Sequence, residues 1–250
     1  MIIIPAVDIK GGRCVRLREG RADAETVFSD RPLEMAQKWI DQGAERLHII
    51  DLDGAFEKGP RNGSAIKEIV ETIKMPIQLG GGIRDLKTVE SYLSLGLSQV
   101  ILGTAALKDP VLVKEACRFF PGQIMVSLDA RDNHLAVEGW IEVSEIDPVD
   151  LAKQYEDWGV KAIIFTDISR DGTQQGPSIP STRRLAQATR LPVIAAGGIA
   201  TLSDVQSLAS LEADGLAGMI TGRAIYSGSL ILPEAIKWLK KNTSQLIIFS

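Results

Sequence analysis

The sequence predicts an α/β fold, a closed (β/α)8 TIM barrel, on three observations. Eight short apolar runs alternate with eight longer amphipathic stretches along the 250 residues. The apolar runs are continuous rather than alternating, as expected of strands buried on both faces and joined by helical crossovers. No Gly-, Pro- or Ser-rich linker interrupts the series, which favours one barrel domain over 1–250 rather than an open doubly wound sheet. A chain this long buries about three quarters of its unfolded surface and needs no staple.

The first strand is expected at 2–8. The run from Met1 to Val7 lacks a basic leader and passes straight into Asp8 and Lys10, so it reads as a buried strand and not a secretory signal. Further strands are expected at 46–51, 76–80, 99–102, 124–129, 162–166, 192–196 and 218–221. Helices are expected at 32–42, 64–72, 86–95, 110–120, 148–158, 180–189, 202–211 and 232–241. Pro32, Pro110, Pro148 and Pro180 suit a first helical turn, where a missing N–H costs nothing. Asp109 and Asp147 precede two of these prolines and can cap the free N–H groups. Gly43, Gly96 and Gly159 follow three helices, where a left-handed residue ends the helix.

An internal repeat supports the eightfold reading. Met75-Pro-Ile-Gln-Leu-Gly-Gly-Gly-Ile83 matches Leu191-Pro-Val-Ile-Ala-Ala-Gly-Gly-Ile199, an offset of 116 residues. The same offset of 116 relates the segment from Gly43 to Asp51 to that from Gly159 to Asp167. Gly103-Thr104 pairs with Gly222-Arg223 at an offset of 119, and Asp8-Ile-Lys10 with Asp129-Ala-Arg131 at 121. Two homologous half-barrels, about 1–122 and 123–250, are therefore expected, with loop lengths that differ between them.

Composition narrows the function. The apolar share is 45% and the charged share 24%, ordinary for a soluble domain. With 28 Lys and Arg against 32 Asp and Glu, the net charge of −4 argues against nucleic-acid or membrane-surface partners. No stretch of ~18 uncharged apolar residues is present to span a bilayer. Two cysteines, Cys14 and Cys117, form neither a metal spacing nor a disulfide framework and fit a cytoplasmic location. There is no Ser–His–Asp triad, dinucleotide fingerprint or His/Cys cluster, so no metal site is expected.

Reactive groups of such barrels stand at the carboxyl ends of the strands. Asp8 and Asp129 end the first and fifth strands, on opposite sides of an eight-strand ring. Taken singly, each is better explained as a loop-start turn or cap. Related by the repeat, they read as a pair that removes a proton on one side and donates one on the other. Gly81 and Gly82 lead towards Gly103 and Thr104, and symmetrically Gly197 and Gly198 precede Gly222 and Arg223. Glycines admit an anion to backbone N–H groups, so the doubled pattern points to a small-molecule ligand with a phosphate at each end. Thr166, Asp171 and Thr173, after the sixth strand, offer hydrogen bonds to a sugar or carboxamide, although 170–172 also reads as a plain turn. His48 lies within the second strand, either as a satisfied core histidine or as a substrate contact. Trp140 lies on a long segment after the fifth strand, read as a loop that stacks an aromatic ring on a flat heterocycle.

Several strand-end motifs in order carry a resemblance. They are Ala6-Val-Asp-Ile-Lys-Gly-Gly-Arg-Cys-Val-Arg-Leu17, Ile50-Asp-Leu-Asp-Gly-Ala55, Gln78-Leu-Gly-Gly-Gly-Ile-Arg84 and Ile101-Leu-Gly-Thr-Ala105. Leu128-Asp-Ala-Arg131, Val137-Glu-Gly-Trp140 and the run from Thr166 to Thr173 continue the series. From residue 2 to about 240 the chain resembles the histidine-biosynthesis isomerases of phosphoribosylformimino-aminoimidazole-carboxamide ribotide. The resemblance implies a cofactor-free Amadori rearrangement of an aminoaldose to an aminoketose. It implies Asp8 as base and Asp129 as acid, Thr166 and Asp171 orienting the opened sugar, and Arg16 among the substrate-binding residues.

Departures are Ala195-Ala196 where many relatives carry a serine, the run from Met219 to Ala224, and the apolar tail at 246–249. The related cyclase subunit typically has a cysteine two residues before the first aspartate, where this chain has Ala6. A dual histidine/tryptophan-pathway isomerase and a non-catalytic bisphosphate binder are two further readings of the same motifs. A monomer is expected.

Overall fold

The computed structural model describes the backbone of residues 1–18, 21–131, 134–137, 142–144 and 146–244. The first βα units contain β1 (Ile2–Lys10), β2 (Arg13–Arg18), β3 (Arg21–Ser29), α1 (Pro32–Asp41), β4 (Leu47–Asp51), α2 (Leu52–Glu57) and α3 (Gly63–Thr72). Then come β5 (Ile77–Gly80), α4 (Leu86–Leu95), β6 (Gln99–Leu102), α5 (Thr104–Lys108) and α6 (Pro110–Phe119). The next are β7 (Ile124–Arg131), β8 (His134–Val137), β9 (Glu142–Val143), α7 (Pro148–Trp158), β10 (Ile163–Asp167) and α8 (Ile179–Ala188). The chain continues through β11 (Val193–Ala196), α9 (Leu202–Ala209), β12 (Leu216–Thr221), α10 (Arg223–Ser227) and α11 (Leu232–Asn242).

Eight parallel strands, β1, β4, β5, β6, β7, β10, β11 and β12, pair in that cyclic order, and β12 returns to β1 to close the ring. All eight expected barrel strands and all eight expected long helices are present, with ends shifted by a few residues. The local signals act as their chemistry requires. Asp109 accepts from the Leu112 N–H at 3.1 Å and Asp147 from the Val149 N–H at 2.9 Å. Gly96 and Gly159 close α4 and α7 at φ 114° and 82°.

Two expectations are corrected. The segment after the fifth barrel strand, expected as a loop, and the segment after the first contain antiparallel ribbons in their described parts. β2 pairs with β1 (Asp8↔Val15) and with β3, and β8 pairs with β7 (Ala130↔Leu135). These ladders carry β1 and β7 two residues past Asp8 and Asp129, which therefore lie within their strands and not at their ends. The short helices α2, α5 and α10 have no counterpart in the sequence pattern, because five or six residues are too few to show a helical period.

Strand alternation divides the core. Ile4 and Ala6 of β1 meet Ile101, Met125, Ile164, Ile194 and Ile220 inside the barrel, whereas Ile3, Val7 and Ile9 join the larger core beneath the helices. The interior also holds polar residues from β4, β5 and β6 and the residue before β4. Buried Arg46 bonds Gln99, and buried His48 meets Gln78.

The 116-residue offset reappears in three dimensions. A Cβ on Gly81 (φ +102°) would stand 2.2 Å from the Asp51 carbonyl oxygen, and one on Gly197 (φ +92°) 2.6 Å from that of Asp167. Each βα turn therefore excludes any side chain and lies against the neighbouring strand end.

Asp51 organises the first of these turns. Fully buried, it accepts from the N–H groups of Gly54 (2.9 Å), Arg61 (2.8 Å) and Asn62 (3.1 Å) and from the Asn62 side chain (2.7 Å). Asn62 in turn accepts from the Gly12 N–H at 2.9 Å, tying this loop to the β1–β2 turn. Replacing Asp51 by Ala strands several buried donors, so urea denaturation is expected to show a loss of at least ~3 kcal/mol.

Candidate active site

A cavity opens at the carboxyl ends of the barrel strands, and Asp8, Arg16, His48, Asp129, Thr166 and Asp171 all line it. So do Gly81, Gly82, Gly103, Thr104, Gly197, Gly198, Gly222 and Arg223. Trp140 and the tail at 246–249 lie outside the described residues.

On one wall, the two-residue period of β1 turns Asp8 inward above Ala6. The β1–β2 ribbon returns Arg16 alongside it, and Arg16 Nη1 donates to Asp8 Oδ2 at 2.5 Å. This guanidinium has a fitted seat. A Cβ on Gly222 would fall 1.3 Å from Arg16 Nη2, and the Tyr226 ring lies 5.3 Å from the guanidinium carbon. Tyr226 is fixed by its hydroxyl, which donates to the Ala6 carbonyl at 2.9 Å, and by ring contacts with Phe28 and Trp39. Burial opposes the charge on Arg16, but Asp8, Tyr226 and Asp171 outweigh it and hold the side chain protonated. Asp8 Oδ1 is buried without a hydrogen-bond partner among the described residues.

Across the ring, β7 places Ser127 and Asp129 on the inner face, and the Ser127 hydroxyl donates to Asp129 Oδ1 at 2.7 Å. The Cα of Asp129 pairs with that of Thr166 on β10. Asp171, on the turn after β10, stands between the walls. Burial lifts its carboxyl from 3.8 to about 6; Arg16 opposes the rise, and Asp8 and Asp129 add to it. Asp8 and Asp129 both line the same cavity as Asp171.

Lower in the cavity, His48 accepts at Nδ1 from Gln78 Nε2 at 3.0 Å. Burial, and then Arg16, pull the imidazole down to about 3, so it is neutral at physiological pH.

Each pair of βα turns at the rim repeats one arrangement. Gly81 and Gly82 stand beside Gly103, which opens α5; Gly197 and Gly198 stand beside Gly222, which opens α10. Gly103 (φ −97°, ψ −110°) and Gly222 (φ −122°, ψ −98°) share an unusual backbone conformation. Arg223 Nη1 donates to the Gly172 carbonyl at 3.3 Å, joining this rim to the Asp171 turn. Gln174 adds bonds to Ser227 (2.9 Å) and Ser229 (2.8 Å).

Thr173 is a correction. Its sequence position beside Asp171 suggests a sugar contact, but its hydroxyl donates to the Arg170 carbonyl at 2.7 Å, closing the turn. Sequence reasoning also misses Ser127, Gln78, Tyr226 and Gln174. Ser127 is accessible from period alone, two residues before Asp129. Gln78 is equally so, two residues before Gly80. Tyr226 and Gln174 act through long-range contacts and carry no local signal.

The family model described as histidine biosynthesis protein matches residues 2–231. A protein of Desulfatibacillum aliphaticivorans is 57% identical over 236 residues, covering 94% of each chain. One of Pelobacter propionicus is 57% identical over 245 residues, 98% of this chain and 100% of its own. One of Geobacter sulfurreducens is 54% identical over 241 residues, 96% and 99% of the two chains. All three are named 1-(5-phosphoribosyl)-5-((5-phosphoribosylamino)methylideneamino) imidazole-4-carboxamide isomerase.

The Asp171 carboxyl yields a stability test. Raised in the folded state, it gives the native protein an extra proton between about pH 4 and 6, so its contribution falls as pH rises through that window. Asp171→Asn removes this titration. Denaturation is expected to show the variant gaining on the parent by on the order of 2 kcal/mol more at pH 8 than at pH 4. An equal difference at both values would contradict the raised carboxyl.

Proposed function

The chain belongs to the histidine biosynthesis protein family, and from that premise we infer how its cavity performs the isomerisation its relatives are named for. It is an aldose–ketose isomerase, an intramolecular oxidoreductase of histidine biosynthesis. Its substrate carries a phosphoribosyl group at each end of an aminoimidazole carboxamide core, and the N-linked ribose becomes a ribulose.

The reaction needs one acid and one base on opposite sides of a sugar. Asp129 protonates the furanose ring oxygen, and the ring opens to a Schiff base. Asp8 takes the C2 proton to give the enolamine, and a proton is then returned to C1 as the C2 hydroxyl loses its own, leaving the ketone. Support comes from the shared cavity, from the influence of both carboxyls on Asp171, and from the unpartnered Asp8 Oδ1, a lone-pair site with no competing donor among the described residues. Arg16 anchors the other Asp8 oxygen, so the base keeps its orientation. Thr166 and Asp171 orient the opened chain.

The two glycine rims take the two phosphates, one at Gly81, Gly82, Gly103 and Thr104, the other at Gly197, Gly198, Gly222 and Arg223. Their matching backbone conformations support this reading, and support a duplicated half-barrel origin. No helix among the described residues is long and apolar enough to cross a membrane. Cys14 and Cys117 are both free and buried, in keeping with a cytoplasmic location.

The carrying observation is the pairing of Asp8 and Asp129 across one cavity. Asp8→Asn and Asp129→Asn are each expected to lower kcat by roughly 10²–10⁴ in the absorbance assay of the ribotide, with circular dichroism unchanged. Near-normal turnover by either variant would remove that residue from the scheme. Turnover by the parent without ammonia separates the isomerase from a cyclase or a pure binder.

A further inference from the structure

His48 and Gln78 form a unit that the acid–base scheme does not use. His48 is 6% exposed and lines the cavity, and Gln78 behind it is fully buried. Their Cα atoms pair across β4 and β5, and His48 pairs on its other side with Ala6. Asp8 lies two residues beyond Ala6 on β1. His48 therefore stands one inward-facing layer, roughly 7 Å, beneath the base. The phosphate-binding rims are in the loops above, so the part of the ligand that reaches this depth between Asp8 and Asp129 is the reacting sugar.

Gln78 Nε2 lies 3.0 Å from Nδ1 and is placed to donate to it, while Gln78 Oε1 is buried without a partner among the described residues. An imidazole that accepts at Nδ1 carries its single proton on Nε2. Arg16 adds a positive charge that disfavours a second proton on the ring, and Gln78 contributes no charge to offset it. Arg46, two residues before His48, is buried and bonded to Gln99. We propose that His48 is a neutral N–H donor to an oxygen of the reacting sugar, and that Gln78 is the positioning residue that fixes its Nε2–H tautomer. A neutral donor steadies the C2 oxygen as the enolamine hydroxyl gives up its proton on the way to the ketone, without itself competing for the proton that Asp8 removes. The proposal rests on the sugar-binding reading of the cavity given above.

The chain contains only two histidines, His48 and His134, so histidine nitrogen-15 spectra resolve each ring. In the unliganded protein His48 is expected to show a bare Nδ1, a protonated Nε2 and no titration between about pH 5 and 8. Adding the ribotide substrate to the slowed Asp8→Asn variant, and recording before conversion is detectable, is expected to move the Nε2 proton downfield. A protonated Nδ1, a titration within that range, or an unmoved Nε2 proton in a complex shown to form would each overturn the proposal.

Gln78→Glu, which turns the donor into an acceptor, is expected to place a proton on Nδ1; an Nδ1 left bare would exclude Gln78 as the positioning residue. For activity, His48→Gln keeps an N–H donor and His48→Leu does not. The first is expected to retain a kcat at least about tenfold higher than the second, and equal values would exclude a donor role. Parent turnover reports separately on the isomerase reading, so failure of that reading and failure of this proposal are distinguishable.

Discussion

Everything at the mouth of this barrel depends on the two-residue period of its strands. Ile4, Ala6 and Asp8 face inward on β1 because Ile3, Val7 and Ile9 are committed to the core under the helices. The same holds on β7, where Met125, Ser127 and Asp129 share the inner face. A slip of one residue in either strand would send a carboxylate towards the helices and an aliphatic side chain into the cavity. Closure of the ring makes the inward sets converge, so carboxyls far apart in sequence come to face one ligand. It also keeps water from the interior, which is why its polar groups come in bonded pairs, Arg46 with Gln99 and His48 with Gln78.

Buried charge at the mouth is arranged for orientation more than for stability. An ion pair as enclosed as Asp8 and Arg16 gains little over apolar packing once desolvation is counted. What it secures is direction. One carboxylate oxygen is committed to the guanidinium and the other is left without a donor among the described residues. The guanidinium is held in turn by a bare backbone at Gly222 and by the face of Tyr226. Asp171 lines the same cavity, and its high proton affinity comes first from burial, with Asp8 and Asp129 adding to it and Arg16 opposing it.

Most of this is legible in the chain. Continuous apolar runs, prolines before helices and glycines after them carry enough information to place all eight barrel strands and the long helices. The repeat singles out Asp8, Asp129 and the glycine rims, because two occurrences at matching places in the two halves outweigh the turn-forming role that explains either alone. What escapes is non-local. The ribbon β1–β2–β3 is rich in charge and has no alternation strong enough to distinguish strand from loop, yet it delivers Arg16. The period of β5 places Gln78, but its partner His48 is set by the β4–β5 register. Thr173 misleads because a hydroxyl in a turn satisfies its own backbone as readily as it meets a ligand.

The seat of Arg16 limits how far the twofold plan can be taken. Asp8 and Arg16 belong to the first quarter of the chain, while Gly222 and Tyr226 come from its last. Strand β12, which carries that seat, is also the neighbour that seals the ring against β1. Cutting the polypeptide near its middle would give two fragments of similar design, neither of which contains both the carboxylate and the scaffold that aims it. Although the architecture repeats, the competence of the first aspartate is a property of the joined molecule.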